Sequence, residues 1–311
     1  MTKGTPRHPH PLDGRFEHLI ISSDPGNPGV ATVTLDRPRK RNAINSKMWS
    51  EIGEAFRLLG STGDGTRCVL LRGSGRAFCA GIDTSDPSFG LIDAGSEGDD
   101  GDEEDGDGPP DVARRYLSFR PKILEMQGAI SALESCPVPV VAAVHGPCVG
   151  AGVDLITAAD VRLCSPSSVF SVREARIGLT ADVGTLQRFP KVVGHGSRVR
   201  ELCFTGEDFD AEEAERIGLV SRVTQSDASL IGEAMDVCRR IARNSPVAVA
   251  GTKLSLNYSR DHTVADGLEH IAAHNAAALM TGDIVASFVA SAGGGDGEVP
   301  LFAKLMPHAR L

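Results

Sequence analysis

The stretch from Val138 to Cys164 constrains the fold of this 311-residue chain more than any other. VPVVAAV is a continuous apolar run led by Pro137 and Pro139, the pattern of a strand buried on both faces. It runs into the turn HGPCVG and then into Ala151–Ala159, a helix of small and apolar residues. Val161–Cys164 follows as a further short strand. Asp154 stands inside this small-residue helix, and Glu174 and Asp182 flank the apolar run IGLTA. Carboxylates are rarely buried unless paired or used. Three of them within 29 residues, in otherwise small and apolar segments, suit general acid/base chemistry on a weakly acidic carbon.

Each acid also has a plainer explanation. Asp154 can complement a helix dipole near its N-terminus. Glu174 can pair on the surface with Arg173 or Arg176, and Asp182 can cap the helix that begins near VGTLQRF. Their proximity to two glycine turns favours a site. Gly150-Ala151-Gly152 leaves backbone N–H groups free at a helix start, where they can bind a phosphate or a developing oxyanion. The turn in RAFCAGID, residues 76–83, can supply a second donor. The first turn lacks the spacing and the lysine of a nucleotide-binding loop.

The remaining chain reads as mixed α and β followed by helix. Phe16–Ser22, Val30–Leu35 and Cys68–Leu71 are strand-like. Ile44–Leu59 is amphipathic, with Asn45 as its N-cap, and Val112–Glu134 is a long helix. Beyond Pro190, helices are expected over 190–203, 210–217, 226–243, 246–257 and 262–291, with a strand at Val220–Val223. Residues 1–15 read as a disordered tail. Residues 93–108 carry nine acids and no Lys or Arg, and read as a solvated loop insertion. Without them acids and bases balance at 32 each, so the net charge of −9 is local. That balance argues against nucleic-acid binding. The seven cysteines form no C-x-x-C pair and read as reduced, buried thiols, and no metal site is expected. No apolar run has the length of a membrane span.

The segments RPRKRNAIN, RAFCAGID, VAAVHGPCVGAGVDLITAADVRLC and IGLTADVGTLQRFPKVVG resemble the crotonase (enoyl-CoA hydratase/isomerase) superfamily over about residues 16–291. GAGVDL, ADVGTLQR and NYSRDHTVADGLEH look most like its delta(3,5)-delta(2,4)-dienoyl-CoA isomerase branch. The resemblance implies an α/β (α+β) fold: a spiral core of ββα units over 16–205 and a helical trimerisation region over 206–291, with 292–311 as a tail. It implies an acyl-CoA thioester substrate, no cofactor, no membrane or nucleic-acid partner, and a homotrimer or homohexamer. The thioester oxygen would rest on the N–H groups of Ala80 and Ala151, with Gly81, Ile82, Asp83, Gly150 and Gly152 around the substrate. Asp154, Glu174 and Asp182 map onto the branch's acids. Ordinary hydratases carry Glu at the places of Asp154 and Glu174 and usually no acid at Asp182. The implied reaction moves a proton from C2 to C6 of a 3,5-dienoyl-CoA, with 2-enoyl-CoA hydration or non-catalytic acyl-CoA binding as alternatives. Arg37, Lys40 and Arg41 can contact the nucleotide end of CoA or be solvated bases. A bacterial cytoplasmic location is expected, with a peroxisomal one as the alternative, because the terminal HARL loosely resembles a peroxisomal address.

Overall fold

In the computed structural model, residues 8–89, 112–292 and 300–308 are described. The acidic stretch 93–108, residues 1–7 and the terminal Ala309-Arg310-Leu311 lie outside them.

Seven strands form the main sheet in the order β1-β2-β3-β4-β5-β7-β10. They are β1 His8–Pro9, β2 Leu19–Asp24, β3 Asn27–Leu35, β4 Cys68–Gly73, β5 Val140–Val144, β7 Val161–Cys164 and β10 Arg222–Val223. The first three pair antiparallel; from β3 onward the pairing is parallel, with Val30 opposite Cys68 and Val141 opposite Val161. A second sheet joins β6 Pro147–Val149, β8 Val169–Ser171 and β9 Phe209–Asp210. Bridges between Cys79 and Cys148 and between Ile44 and Ile82 extend this layer. Each turn of chain thus leaves the main sheet, crosses the second layer and returns, stacking the turns that carry the site.

Burial on both faces explains the unbroken apolar runs. Side chains alternate across a strand. Val30, Cys68, Leu70, Val141, Ala143 and Leu163 therefore face helix α7, Leu230–Ala242, packing on Leu230, Ala234 and Cys238. The alternate set, including Val33, Val69, Leu71, Val140, Ala142 and Val144, faces the main core. There lie α1, Ser46–Leu58, and α2, Val112–Ser135, packed on each other, with α3, Ala151–Ala158, next to α2. Asn45 caps α1 by accepting from the Met48 N–H at 2.9 Å. All seven cysteines are buried free thiols. Gly146 makes the second layer possible. Its φ is +54°, and a Cβ there would lie 2.3 Å from the Arg76 carbonyl, so no other residue fits.

Several boundaries depart from the sequence reading. Expected tail residues are packed: His10 is buried against Thr66 at 3.2 Å, and Leu12 is in the core. At the other end, Phe302 is buried and its carbonyl accepts from Arg67 at 2.6 Å. The expected helix over 190–203 is two, α4 Thr185–Val193 and α5 Gly196–Thr205, broken at left-handed Gly194. Residues 262–291 are likewise two, α9 Val264–Ala278 and α10 Gly282–Ala292. The region 206–291 is not one unit. Its α6, Ala211–Arg216, and α7 pack on the sheets, whereas α8, Pro246–Ser259, packs mainly with α9. Lys253 of α8 ties that layer to the core. Its buried ammonium reaches Asp160 at 2.7 Å and the Leu133 and Val138 carbonyls at 3.2 and 3.1 Å.

Candidate active site

Two stacked turns and one loop build the site. In the first turn, Arg41 and Asn42 both have left-handed backbones. Asn42 is fully buried; its amide donates to the Ser74 and Ala77 carbonyls, each at 2.8 Å. This fixes the Arg41 carbonyl, which accepts the Ala80 N–H at 3.0 Å. The Asp83 N–H goes to Ile44 at 2.8 Å, and Gly81 N–H faces the Cys79 sulfur at 3.4 Å. Among the described residues the Ile82 N–H has no acceptor. The free donor of this turn is therefore Ile82, not Ala80, whose N–H is consumed by the fold.

In the second turn, Gly150 has φ +51° and donates to the Ser171 carbonyl at 2.9 Å. Its own carbonyl takes the Val153 and Asp154 N–H groups. Ala151, the first residue of α3, keeps an N–H with no partner among the described residues, as the first turn of a helix does. A Cβ at Gly150 would sit 3.2 Å from Glu174 Oε1, so the acid packs against the turn's backbone. Gly152 is a packing residue: a Cβ there would press on Cys79 at 3.1 Å.

Ile82, Ala151, Asp154, Glu174 and Asp182 all line one cavity of about 340 Å³, with Ala80, Gly81 and Gly150 beside them. Its walls are otherwise largely apolar, with Trp49, Phe89, Ile123 and Met126 among them. Trp49 is held by its indole N–H to the Met126 carbonyl at 2.9 Å and meets Phe89 edge-on.

The three acids differ. Asp154 is fully buried; its Oδ1 accepts the N–H and hydroxyl of Thr185 at 2.5 and 2.7 Å, and Oδ2 has no partner among the described residues. Burial first, and then the charge of Glu174, push its carboxyl up to about 7, against the opposing Thr185 bonds. Glu174, on a 3-10 turn over Glu174–Ile177, also keeps a buried oxygen, Oε2, without partner. Burial and the charge of Asp182 raise it. Asp182 is the most open of the three, yet the protein around it desolvates it enough to raise its carboxyl as well. Three acids with raised affinity for protons in one apolar cavity can move protons on a bound molecule near neutral pH.

Some sequence expectations are corrected here. Asp182 does not cap α4; that position is Gly184. Arg173 pairs with Asp208 and Arg176 donates to the Thr205 carbonyl, so neither neutralises Glu174. Asp83 lies outside the cavity and holds Arg37 at 3.0 Å, Lys40 at 3.9 Å and Ser85 at 2.5 Å. Arg37 is thereby held in a mostly buried ion pair, Lys40 stays exposed beside Asp83, and Arg41 alone of the three is exposed without a side-chain partner among the described residues. Thr185 and Gln127, which donates to the Asp182 carbonyl at 2.6 Å, were not singled out by the sequence. A Thr at the N-terminus of a helix, three residues after an acid, is the only local cue for the former.

Comparison with known proteins gives the family and the fold. The enoyl-CoA hydratase/isomerase family model matches residues 26–90 and 113–281, and the unmatched gap contains the acidic stretch. The mitochondrial delta(3,5)-delta(2,4)-dienoyl-CoA isomerase of Homo sapiens is 41% identical over 94% of this chain and 84% of its own length. The peroxisomal enzyme of that name from Arabidopsis thaliana is 38% identical over 86% of this chain and 92% of its own. The solved enoyl-CoA hydratase from Bacillus anthracis superposes with a TM-score of 0.77 at 24% identity, over 93% of this chain and all of that one; at that identity it bears on the fold alone. The expected bacterial cytoplasmic location is overturned by these relatives, whose names place them in mitochondria or peroxisomes.

Proposed function

The chain belongs to the enoyl-CoA hydratase/isomerase family, and from that premise we propose that it converts 3,5-dienoyl-CoA thioesters to 2,4-dienoyl-CoA during unsaturated fatty acid β-oxidation. The observation that carries this reading is the third acid. Asp182 joins Asp154 and Glu174 on a cavity that also holds two N–H groups without an acceptor among the described residues. The thioester carbonyl accepts from Ile82 and Ala151, and charge developing on that oxygen lowers the barrier to losing a proton from C2. Asp182, ionised, takes that proton. The dienolate spreads to C6, where Glu174, protonated, delivers its proton. The double bonds move from C3 and C5 to C2 and C4, and one proton has been lost and one gained. The balance needs no added oxidant, reductant or metal, so no cofactor is proposed. Of Arg37, Lys40 and Arg41, Arg41 has no side-chain partner among the described residues and is the one proposed for the nucleotide end of CoA.

A homotrimer, or a pair of them, accounts for the outer helices. Leu268, Leu279, Val285 and Phe288 are each more than 60% exposed on α9 and α10 or between them, an exposed apolar group of the kind that marks a protein–protein contact. Light scattering tests this; a monomer at micromolar concentration would refute it.

The activity test is ultraviolet spectroscopy with 3,5-octadienoyl-CoA beside 2-trans-octenoyl-CoA. Isomerisation brings the diene into conjugation with the thioester and raises near-ultraviolet absorbance. Hydration removes conjugation and lowers it. A rise with the dienoyl ester supports the proposal. A fall with the enoyl ester and none of that rise makes the protein a hydratase.

A further inference from the structure

Asp154 takes no step in the reaction above, yet it is the most deeply buried of the three acids. Its environment is one-sided. Oδ1 accepts both Thr185 donors, the N–H at 2.5 Å and the hydroxyl at 2.7 Å, which occupy its two lone pairs. Oδ2 is buried without a partner, and so is Glu174 Oε2. Both residues line the same cavity. With both Oδ1 lone pairs taken by Thr185, a proton bound to Asp154 is favoured on Oδ2, where it needs an acceptor. The groups facing Asp154 are Glu174, Arg188 of α4, Thr185 and the thiols Cys79 and Cys148. Of these, only Glu174 offers an unpartnered oxygen. Arg188 is already held by Glu134 at 3.0 Å.

We propose that Thr185 is a positioning residue that fixes the proton of Asp154 on Oδ2, so that Asp154 acts as a neutral donor to the carboxylate Glu174 becomes on giving its proton to C6. This rests on the isomerase reading. The O–H of Asp154 stays on Asp154 throughout; it donates a hydrogen bond to Glu174 Oε2 as that charge forms. An ionised Asp154 would instead repel it. Activity therefore falls as pH rises through the titration of Asp154.

Thr185→Val keeps the backbone N–H and deletes the hydroxyl. With one lone pair of Oδ1 vacated, the proton is no longer confined to Oδ2. Hydrogen bonds to charged groups contribute about 1.5–3 kcal/mol, so kcat is expected to fall roughly ten- to hundredfold with KM within about twofold. The hydroxyl also favours the ionised form of Asp154, so its loss moves the basic limb of the kcat profile to higher pH. Thr185→Ser restores both. An unmoved basic limb in Thr185→Val, or a KM effect alone, overturns the proposal. A readout independent of turnover is the infrared carbonyl band of a neutral carboxylic acid. Protonated Glu174 contributes to this band as well, so the component lost in Asp154→Asn is the one read: it should be present in wild type at pH about 6 and fade toward pH about 8.5; a wild-type band unchanged in Asp154→Asn overturns the proposal. Wild type inert toward 3,5-dienoyl-CoA would instead refute the isomerase reading, leaving the infrared measurement to decide the state of Asp154.

Discussion

Replacing Ala151 by proline removes one oxyanion donor and little else. Ala151 is the first residue of α3, and its N–H has no partner among the described residues. Proline is well tolerated there, because the N–H it lacks is unused by the helix and its fixed φ suits the first turn. The preceding residue is Gly150 at φ +51° and ψ −118°, away from the helical region that proline disfavours before it. Its ring replaces hydrogen on the side from which the thioester oxygen would be bound. Global stability should therefore change by no more than about 1 kcal/mol, read by chemical denaturation. Removal of a single oxyanion-hole donor costs on the order of 10²–10³ in kcat. That loss, with a normally folded protein, is the expected result of the dienoyl-CoA absorbance assay. Ala80 supplies the contrast. Its N–H is bonded to the Arg41 carbonyl, so Ala80→Pro should damage folding before it damages catalysis selectively. A folded Ala151→Pro enzyme with wild-type kcat would refute the two-donor site.

Other consequences follow from the same geometry. Asp182→Asn should lower kcat by about 10²–10⁴, the usual contribution of a general base. CoA-ester binding by calorimetry should hardly change, because Gln127 grips the main-chain carbonyl of Asp182, not its side chain. Asp154 links stability to pH. Its carboxyl titrates at 3.8 ordinarily and at about 7 in the fold, so the stabilisation of the protonated native state is complete below pH 3.8 and is lost as pH rises to about 7. At about 1.36 kcal/mol per unit, wild type has lost on the order of 4 kcal/mol by pH 8. Asp154→Asn, which does not ionise, should be more stable than wild type at pH 8 and similar at pH 4; urea denaturation at both values checks the sign. Lys253→Met takes the cation from Asp160, which keeps only the Val140 N–H at 2.7 Å among the described residues, and removes the side-chain donor to two carbonyls. It should cost about 3–5 kcal/mol, measured by the same method.

What the sequence revealed and what it hid divide along the range of the interactions. Periodicity and caps are local, so VVAAV, the Asn45 cap and the small-residue helix after Gly150 could be read from neighbouring residues. The three acids stood out because burying a carboxylate is costly and their surroundings were apolar. The oxyanion donor was two residues out of register for a nonlocal reason. Within RAFCAGID nothing distinguishes the N–H of Ala80 from that of Ile82. The choice is made by the Arg41 carbonyl, held in a left-handed turn by Asn42, whose amide in turn grips Ser74 and Ala77. Asp83 was misplaced for a related reason. It looks like a site residue beside the glycine turn, but it serves to anchor Arg37 and Lys40, more than forty positions earlier. Arg37 of the entry motif thus braces the oxyanion turn, while Arg41 of the same motif is the residue proposed for CoA. Mutations in it should disturb catalysis through the placement of Ile82, with Asn42 as the residue on which that placement depends.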